Sequence, residues 1–466
     1  MYIIIKNKLN LIKTMKNIIL CALGIALLSG CSGGASKDGW TDLFNGKDLT
    51  GWIQRNGEAQ YKVENREIIG VSKAGTPNSF LCTEKDYGDF ILEFELKVDT
   101  ALNSGVQIRS HSLPEFKDGR VHGYQIEVDP SSRGWSAGIY DEARTGWLYP
   151  VTPYNPAAVS AFKNFEWNHY RVEAIGNNIK TWLNGVPVAD LLVDMDASGF
   201  IALQVHQVNV KSKPWAEGTT VRWRNLRIMT KNLEANRKTD TPPVYQINAI
   251  PNTLSDREKA EGWTLLFDGK TTNGWRGALK DAMPDHGWVV NDGALEVLPK
   301  DEGGGGGDIV SVEQFGNFDL VFDFKISEGG NTGLKYYVTE NVYDKGALGL
   351  EYQLLDDALH PDAKLGRDGN RTLSSLYDLL PAKGKRFNGI GQWNTGRVVA
   401  NNNHIEHWLN NIKVLEYERG SAEYKKAVSE SKFSKMKNFG EAPEGHILLQ
   451  DHNNRAWFRN IKIKKL

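Results

Sequence analysis

At 466 residues the chain has room for two or three domains of about 100–200 residues each. Its 40% apolar and 24% charged residues exclude a disordered chain and a multi-span membrane protein. Lys plus Arg total 56 against 57 Asp plus Glu, so no basic surplus exists for a dedicated nucleic-acid binder. Glycine-rich, methionine-poor composition with 14 Trp and 16 Tyr points to turn-rich β-structure carrying a heavy aromatic load.

Residues 15–31 read as an export signal. Lys16 gives a positive start, Ile18 to Leu28 an apolar run too short to span a bilayer, and Leu28-Ser29-Gly30-Cys31 resembles the bacterial lipobox. On this reading Met15 is the start, residues 1–30 are removed, Cys31 is lipidated, and residues 31–38 form a tether. Residues 1–30 carry four Lys and no acid, so the mature chain would hold 52 basic and 57 acidic residues, a net charge of −5. Cys21 leaves with the signal and Cys31 takes lipid. Cys82 is then left without a disulfide partner and reads as a buried, inert thiol. No acidic run follows Cys31, so the expected location is the cell envelope, on a periplasm-facing outer-membrane anchor.

The rest of the chain is one module written twice. Trp40-Thr41-Asp42-Leu43-Phe44-Asn45-Gly46-Lys47 recurs as Trp263-Thr264-Leu265-Leu266-Phe267-Asp268-Gly269-Lys270, and Gly51-Trp52 as Gly274-Trp275. Trp167-Asn168, Trp182-Leu183-Asn184, Gln204-x-His206 and Arg224-Asn225 recur in order as Trp393-Asn394, Trp408-Leu409-Asn410, Gln450-x-His452 and Arg459-Asn460. The predicted domains are 39–230 and 262–466, with a linker over 231–261.

Phe90 to Val98 and Phe318 to Ile326 alternate with period two, as half-buried strands do. Ile179 to Leu183 and Ile405 to Leu409 run into Asn-Gly and Asn-Asn, a hairpin signal. Ser255-Asp256-Arg257-Glu258 is a capping box and predicts a short linker helix. Ser421 to Lys437 is a charged insert whose Tyr424, Val428 and Phe433 predict a surface helix. Gly303 to Gly307 lacks the following Lys-Ser/Thr of a phosphate loop and reads as a rim loop. His404 and His407, lacking metalloprotease spacing, read as polar strand positions, and Trp182 and Trp408 as core.

Each copy also places polar residues two apart on strands, where side chains share a face. In copy one these are Gln107 with Arg109, and Gln125 with Glu127 and Asp129. The matching positions in copy two are Lys335 with Tyr337, and Glu351 with Gln353. Glu and Gln have exchanged places. Gln204/His206 and Gln450/His452 add a second pair per copy. Glu127-Val128-Asp129 is followed by Pro130, and copy two lacks a second acid in its strand, which disfavours a paired-carboxylate glycosidase.

The runs LFDGKTTNGW, EYQLLDDALHPDAK, SSLYDLL, HIEHWLNNIKVLEYE and GHILLQDHNNRAWFRNIKI together resemble the 3-keto-disaccharide hydrolase family. LFNGKDLTGW, SGVQIRS, HGYQIEVDP and WRNLRI make residues 39–230 resemble a divergent member. The resemblance implies an all-β fold of two tandem concanavalin-like jelly-roll sandwiches, with short linker and insert helices. It also implies a bacterial envelope protein acting on oxidised glycosides, with a sugar 3-oxidoreductase upstream.

A ketone at C3 acidifies the C2 proton, so the chemistry asks for one base and one group to hold an enolate. Copy two is expected to be active, with Glu351 or His452 as base and Lys335 as enolate stabiliser. Gln353, Gln450, Tyr337, Arg109, Gln125, Glu127 and His206 are expected to bind substrate. No cofactor is required; a divalent metal is compatible with the Glu, His and Gln atoms but has no decisive spacing. Two other readings stand beside this one: a non-catalytic pair of carbohydrate-binding sandwiches, and a first copy that serves only as scaffold.

Overall fold

The computed structural model describes residues 39–99, 102–209, 217–241, 243–341 and 346–466. The signal segment, Cys31 and the tether lie outside them. Four strands of copy one position its polar face: β1 (Phe90–Val98), β2 (Ser104–His111), β3 (His122–Val128) and β4 (Gly199–Val205). Their counterparts in copy two are β5 (Phe318–Ile326), β6 (Asn331–Glu340), β7 (Ala347–Leu355) and β8 (Gly445–Leu449). Between the copies lies α1 (Asp256–Ala260), and the insert forms α2 (Ala422–Ser429).

Each copy is a two-sheet sandwich. Among the described residues, the smaller sheet of copy two has five strands, ordered Trp275–Gly277, Ile309–Phe315, β8, β6, β7. Copy one repeats that order as Trp52–Asn56, Ser79–Tyr87, β4, β2, β3, then adds Ile139–Glu142 and Gly146–Tyr149. The larger sheets, of nine and eight described strands, also share one order. The extra strand on copy one is Gln246–Asn248 from the linker, paired in parallel with Val186–Leu192. The period-two rule holds in β1 and β5: Leu92, Phe94 and Leu96, and Leu320, Phe322 and Phe324, enter the two cores. Glu93 and Asp323 on the same strands instead pair with arginines on neighbouring strands.

Several recurring motifs turn out to be joints of the fold. Trp52 Nε1 donates to Leu43 O at 3.1 Å and Trp275 Nε1 to Leu266 O at 2.6 Å, closing the same loop in each copy. Asn184 and Asn410 start the predicted hairpin turns at φ of +49° and +48°. Arg224-Asn225 and Arg459-Asn460 recur because each Asn sits at a bulge with positive φ, 53° and 51°. Asn410 Oδ1 accepts from Thr395 N at 2.9 Å, and its Nδ2 donates to Arg386 O and Asn394 Oδ1 at 2.7 and 2.8 Å. Asn410→Ala therefore loses three hydrogen bonds and strains a positive φ. Urea denaturation is expected to show a loss of about 2–3 kcal/mol.

The linker helix begins as its capping box requires, with Ser255 Oγ accepting from Glu258 N at 3.0 Å and Glu258 Oε2 from Ser255 N at 2.8 Å. The insert helix buries Tyr424 and leads to Phe433, which stacks on Phe439 at 3.9 Å. His407 departs from the expected polar strand position. It is fully buried between Tyr336 Oη at 2.7 Å and Ser374 O at 2.9 Å, and burial pushes its pKa down to about 4.

Candidate active site

In copy two, β6 and β7 place Lys335 directly opposite Glu351 and Gly333 opposite Gln353. These positions face outward from the smaller sheet into a cavity of about 360 Å³. Lys335, Glu351, Gln353, Gln450 and His452 all line it, with Asn331, Tyr377, Lys432, Phe433 and Met436 completing the walls. Lys335 Nζ stands 4.0 Å from Glu351 Oε2 and 3.7 Å from Asp308 Oδ2. A side chain at Gly333 would put its Cβ 2.5 Å from Glu351 Oε1, so the glycine clears the space the carboxylate occupies.

Burial raises the Glu351 pKa above the usual carboxylate range; Lys335, Lys432 and His452 oppose that rise, and Asp308 adds to it. Burial likewise lowers Lys432, against the pull of Glu351 and Asp378. Both shifts bring an acid and a base toward neutrality in one cavity, the condition for proton transfer near neutral pH. Two buried acceptors on the walls, Asn331 Oδ1 and Gln353 Oε1, have no hydrogen-bond partner. Ligand hydroxyls would satisfy them.

Two segments of the chain, residues 39–229 and 262–464, match the family described as the 3-keto-alpha-glucoside-1,2-lyase-like domain. The chain belongs to that family, in two tandem copies. A 3-keto-disaccharide hydrolase of Bacteroides thetaiotaomicron is 38% identical over 232 residues, which span 44% of this chain and 79% of that protein. A crystal structure of a candidate glycosyl hydrolase from Parabacteroides distasonis is 33% identical, covering 46% of this chain and 99% of its own, with a TM-score of 0.42. A second from the same organism is 26% identical, covering 44% and 99%, with a TM-score of 0.35.

The first lyase-like domain carries the same face in closed form. Gln107 stands opposite Gln125, where the second domain has Lys335 opposite Glu351. Gln107 Nε2 and Gln204 Nε2 both donate to Gln125 Oε1, at 2.7 and 2.8 Å. Gln125 Nε2 donates to Glu127 Oε2 at 3.0 Å, and Asn103 Nδ2 to Glu127 Oε1 at 2.7 Å. All of Gln107, Gln125, Glu127 and Gln204 are buried. Burial raises Glu127 to about 7, opposed by its amide donors and Arg133. Gln107, not a cation, stands opposite Gln125, so the exchange of Glu and Gln leaves this domain with a neutral amide pair at that position. Asp129 instead has its pKa lowered, held by Ser131 and Arg133 against the effect of burial.

Two expected binding residues are corrected. Arg109 and Tyr337 do not share the faces of Gln107 and Lys335, because a bulge with positive φ (46° and 52°) breaks the period in β2 and β6. Arg109 turns instead toward the residues that precede β1 in the other sheet. Its guanidinium donates to Gly88 O, Gly176 O and Asp89 Oδ1 at 2.8–2.9 Å. Tyr337 enters the core beside Phe318, with the Arg419 guanidinium 3.8 Å from its ring. His206 lies just beyond the end of β4, half-buried, with Nδ1 2.8 Å from Gln207 O.

The sequence reading missed Lys432, Tyr377, Asn331 and Asp308. Lys432 comes from the insert, where a Lys among charges looks like solvated surface. Its backbone N–H donates to Asp378 at 2.8 Å, and its Nζ lies 4.2 Å from the Tyr377 ring centre. Tyr377 is held at the cavity by its hydroxyl donating to Asp362 at 2.8 Å. His404, Glu406 and Glu416 come close enough to hold an ion, but on an outer hairpin where Lys413 already bridges the two acids.

Proposed function

We propose that the second lyase-like domain cleaves 3-keto-glycosides by C2 proton abstraction, β-elimination and hydration. The observation that carries this is the buried Glu351 carboxylate 4.0 Å from Lys335 Nζ in a cavity whose walls hold unpaired amide oxygens. Glu351 takes the proton from C2, and the electrons pass to the C3 oxygen as an enolate facing Lys335 and Lys432. The enolate then collapses, C1=C2 forms, and the C1–O bond to the aglycone breaks. The departing oxygen takes a proton at the cavity mouth, where the exposed His452 stands beside His360. Water adds at C1 of the resulting enone and a proton returns to C2, so the net change is hydrolysis.

The cations and burial supply what an unactivated glycoside cannot use: with no ketone, C2–H is too weak an acid for a carboxylate. The full chain is therefore expected to cleave a 3-keto-disaccharide and leave its unoxidised parent intact, read by chromatography of the released sugar. Equal cleavage of both would refute the elimination route. In that scheme a sugar 3-oxidoreductase must act first. The first domain, with its amide pair in place of Lys and Glu, holds sugar or scaffolds without turnover, so Glu127→Gln is expected to leave the rate unchanged.

The lipobox reading makes this an envelope lipoprotein held by Cys31. Cys31→Ser is expected to move the protein from the membrane fraction to a soluble or unprocessed form. Unchanged fractionation and migration would refute the anchor.

A further inference from the structure

A second cavity, of about 290 Å³, lies between the two copies, on the outer face of the larger sheet of copy two. It is a different place from the Glu351 cavity, which opens on the outer face of the smaller sheet. Two sheets and a core, packed about 10 Å apart, separate the two.

The walls come from three parts of the chain: Trp147 and Tyr154 of copy one, Tyr245 of the linker, and Trp393 and Trp408 of copy two. These rings are arranged rather than heaped. Tyr154 stacks on Tyr245 at 5.0 Å and on Trp408 at 6.2 Å, and its hydroxyl donates to Asn411 Oδ1 at 2.8 Å across the domain boundary.

Every formal charge on the wall that belongs to a strand of copy two is neutralised. Arg397 donates twice to Asp319 at 2.7 Å, Arg459 lies 3.4 Å from Asp323, and Lys462 pairs with Glu258. Yet two buried acceptors remain without a donor, Asn460 Oδ1 and Gln246 Oε1, and Asn460 is only 2% exposed. Asp194 adds one exposed carboxylate at the copy-one rim. A site of aromatic faces, paired strand charges, a rim acid and unpaired amide oxygens asks for a ligand without negative charge that brings hydroxyl donors and apolar C–H faces.

Copy one shows what this face looks like when it is closed. There the post-domain segment lies over it: Arg171 donates to Asn236 O at 2.5 Å, Lys238 N to Glu173 at 2.8 Å, and the Trp182 ring is 2% exposed beneath Lys238. The equivalent Trp408 of copy two is left open to the cavity. The same module thus fills this face once and leaves it vacant once.

We infer that the cavity between the copies is a saccharide-binding site for one or two neutral, unoxidised pyranose rings, separate from the site of cleavage. It would hold a remote part of a glycan, or a second chain, while the Glu351 cavity acts elsewhere, raising local substrate concentration by linkage rather than by chemistry.

The test uses the full chain carrying Glu351→Gln, titrated with maltose and with cellobiose by calorimetry and tryptophan fluorescence. At least one disaccharide is expected to bind. Met195→Trp, placed at an exposed residue on the cavity rim, is expected to weaken that binding by about tenfold or more without perturbing the fold. Trp408→Ala, which removes a wall, is expected to do the same. Met195→Trp in the otherwise unaltered chain is expected to keep parent turnover of a 3-keto-disaccharide. Failure of both sugars to bind, or binding unaffected by Met195→Trp, overturns the site.

Discussion

Glu351→Gln is expected to lower turnover of a 3-keto-glycoside by about 10²–10⁴-fold, the usual share of a general base. The substitution keeps the shape and the Gly333 clearance that the side chain needs. It removes only the ability to take a proton. Substrate binding should survive, because Asn331, Gln353 and Gln450 remain on the walls. The readout is therefore a fall in kcat with KM little changed. Full activity in Glu351→Gln would move the base elsewhere, and His452→Ala would be the next variant to measure.

Lys335→Met is expected to cost nearly as much, and to leave a mark on the pH profile. Glu351 must be ionised to act, and burial holds its pKa above the ordinary carboxylate value, so activity should rise with pH along an acid limb displaced upward from that of an exposed carboxylate. The nearby Lys335 ammonium is the strongest influence opposing that rise. Without it the carboxylate becomes harder to ionise, so the acid limb of kcat/KM should move to higher pH. Above that limb Glu351 is ionised in both proteins. Any deficit that persists there measures the lost hold on the enolate oxygen. A uniform drop with no displacement of the limb would place Lys335 outside contact with the base.

The architecture was largely legible because its signals are periodic and doubled. FILEFELKV and FDLVFDFKI alternate as β1 and β5 do, and the repeat carried one strand order to both halves. The Glu/Gln exchange was also visible, and the register gives it meaning: Lys335 faces Glu351 where Gln107 faces Gln125. Arg109 and Tyr337 were misplaced for the complementary reason. A bulge at a non-glycine residue leaves no composition signal, yet it sends the next side chain to another face. Lys432 was hidden differently. The insert folds over the cavity only in three dimensions, through Asp378 and Phe433, and a charged segment otherwise reads as solvated. The repeated Trp-Asn and Trp-Leu-Asn motifs marked the duplication without saying what they do. Their asparagines serve turns and loop closure.

The linker strand bears on how the duplicated gene can change. Gln246–Asn248 completes a sheet of copy one. The same short stretch supplies Asn248, which with Glu258 receives the buried Lys462 of copy two. Asn252, four residues on, accepts from Asn460 N at 2.7 Å. A deletion ending at residue 261 would strip copy one's lyase-like partner of the acid that neutralises Lys462, leaving an unpaired buried ammonium, a costly change. A deletion ending before residue 246 would leave a strand without its sheet. Neither boundary releases an intact half. The junction is therefore common ground, closing a sheet of the first copy while neutralising a buried ammonium of the second.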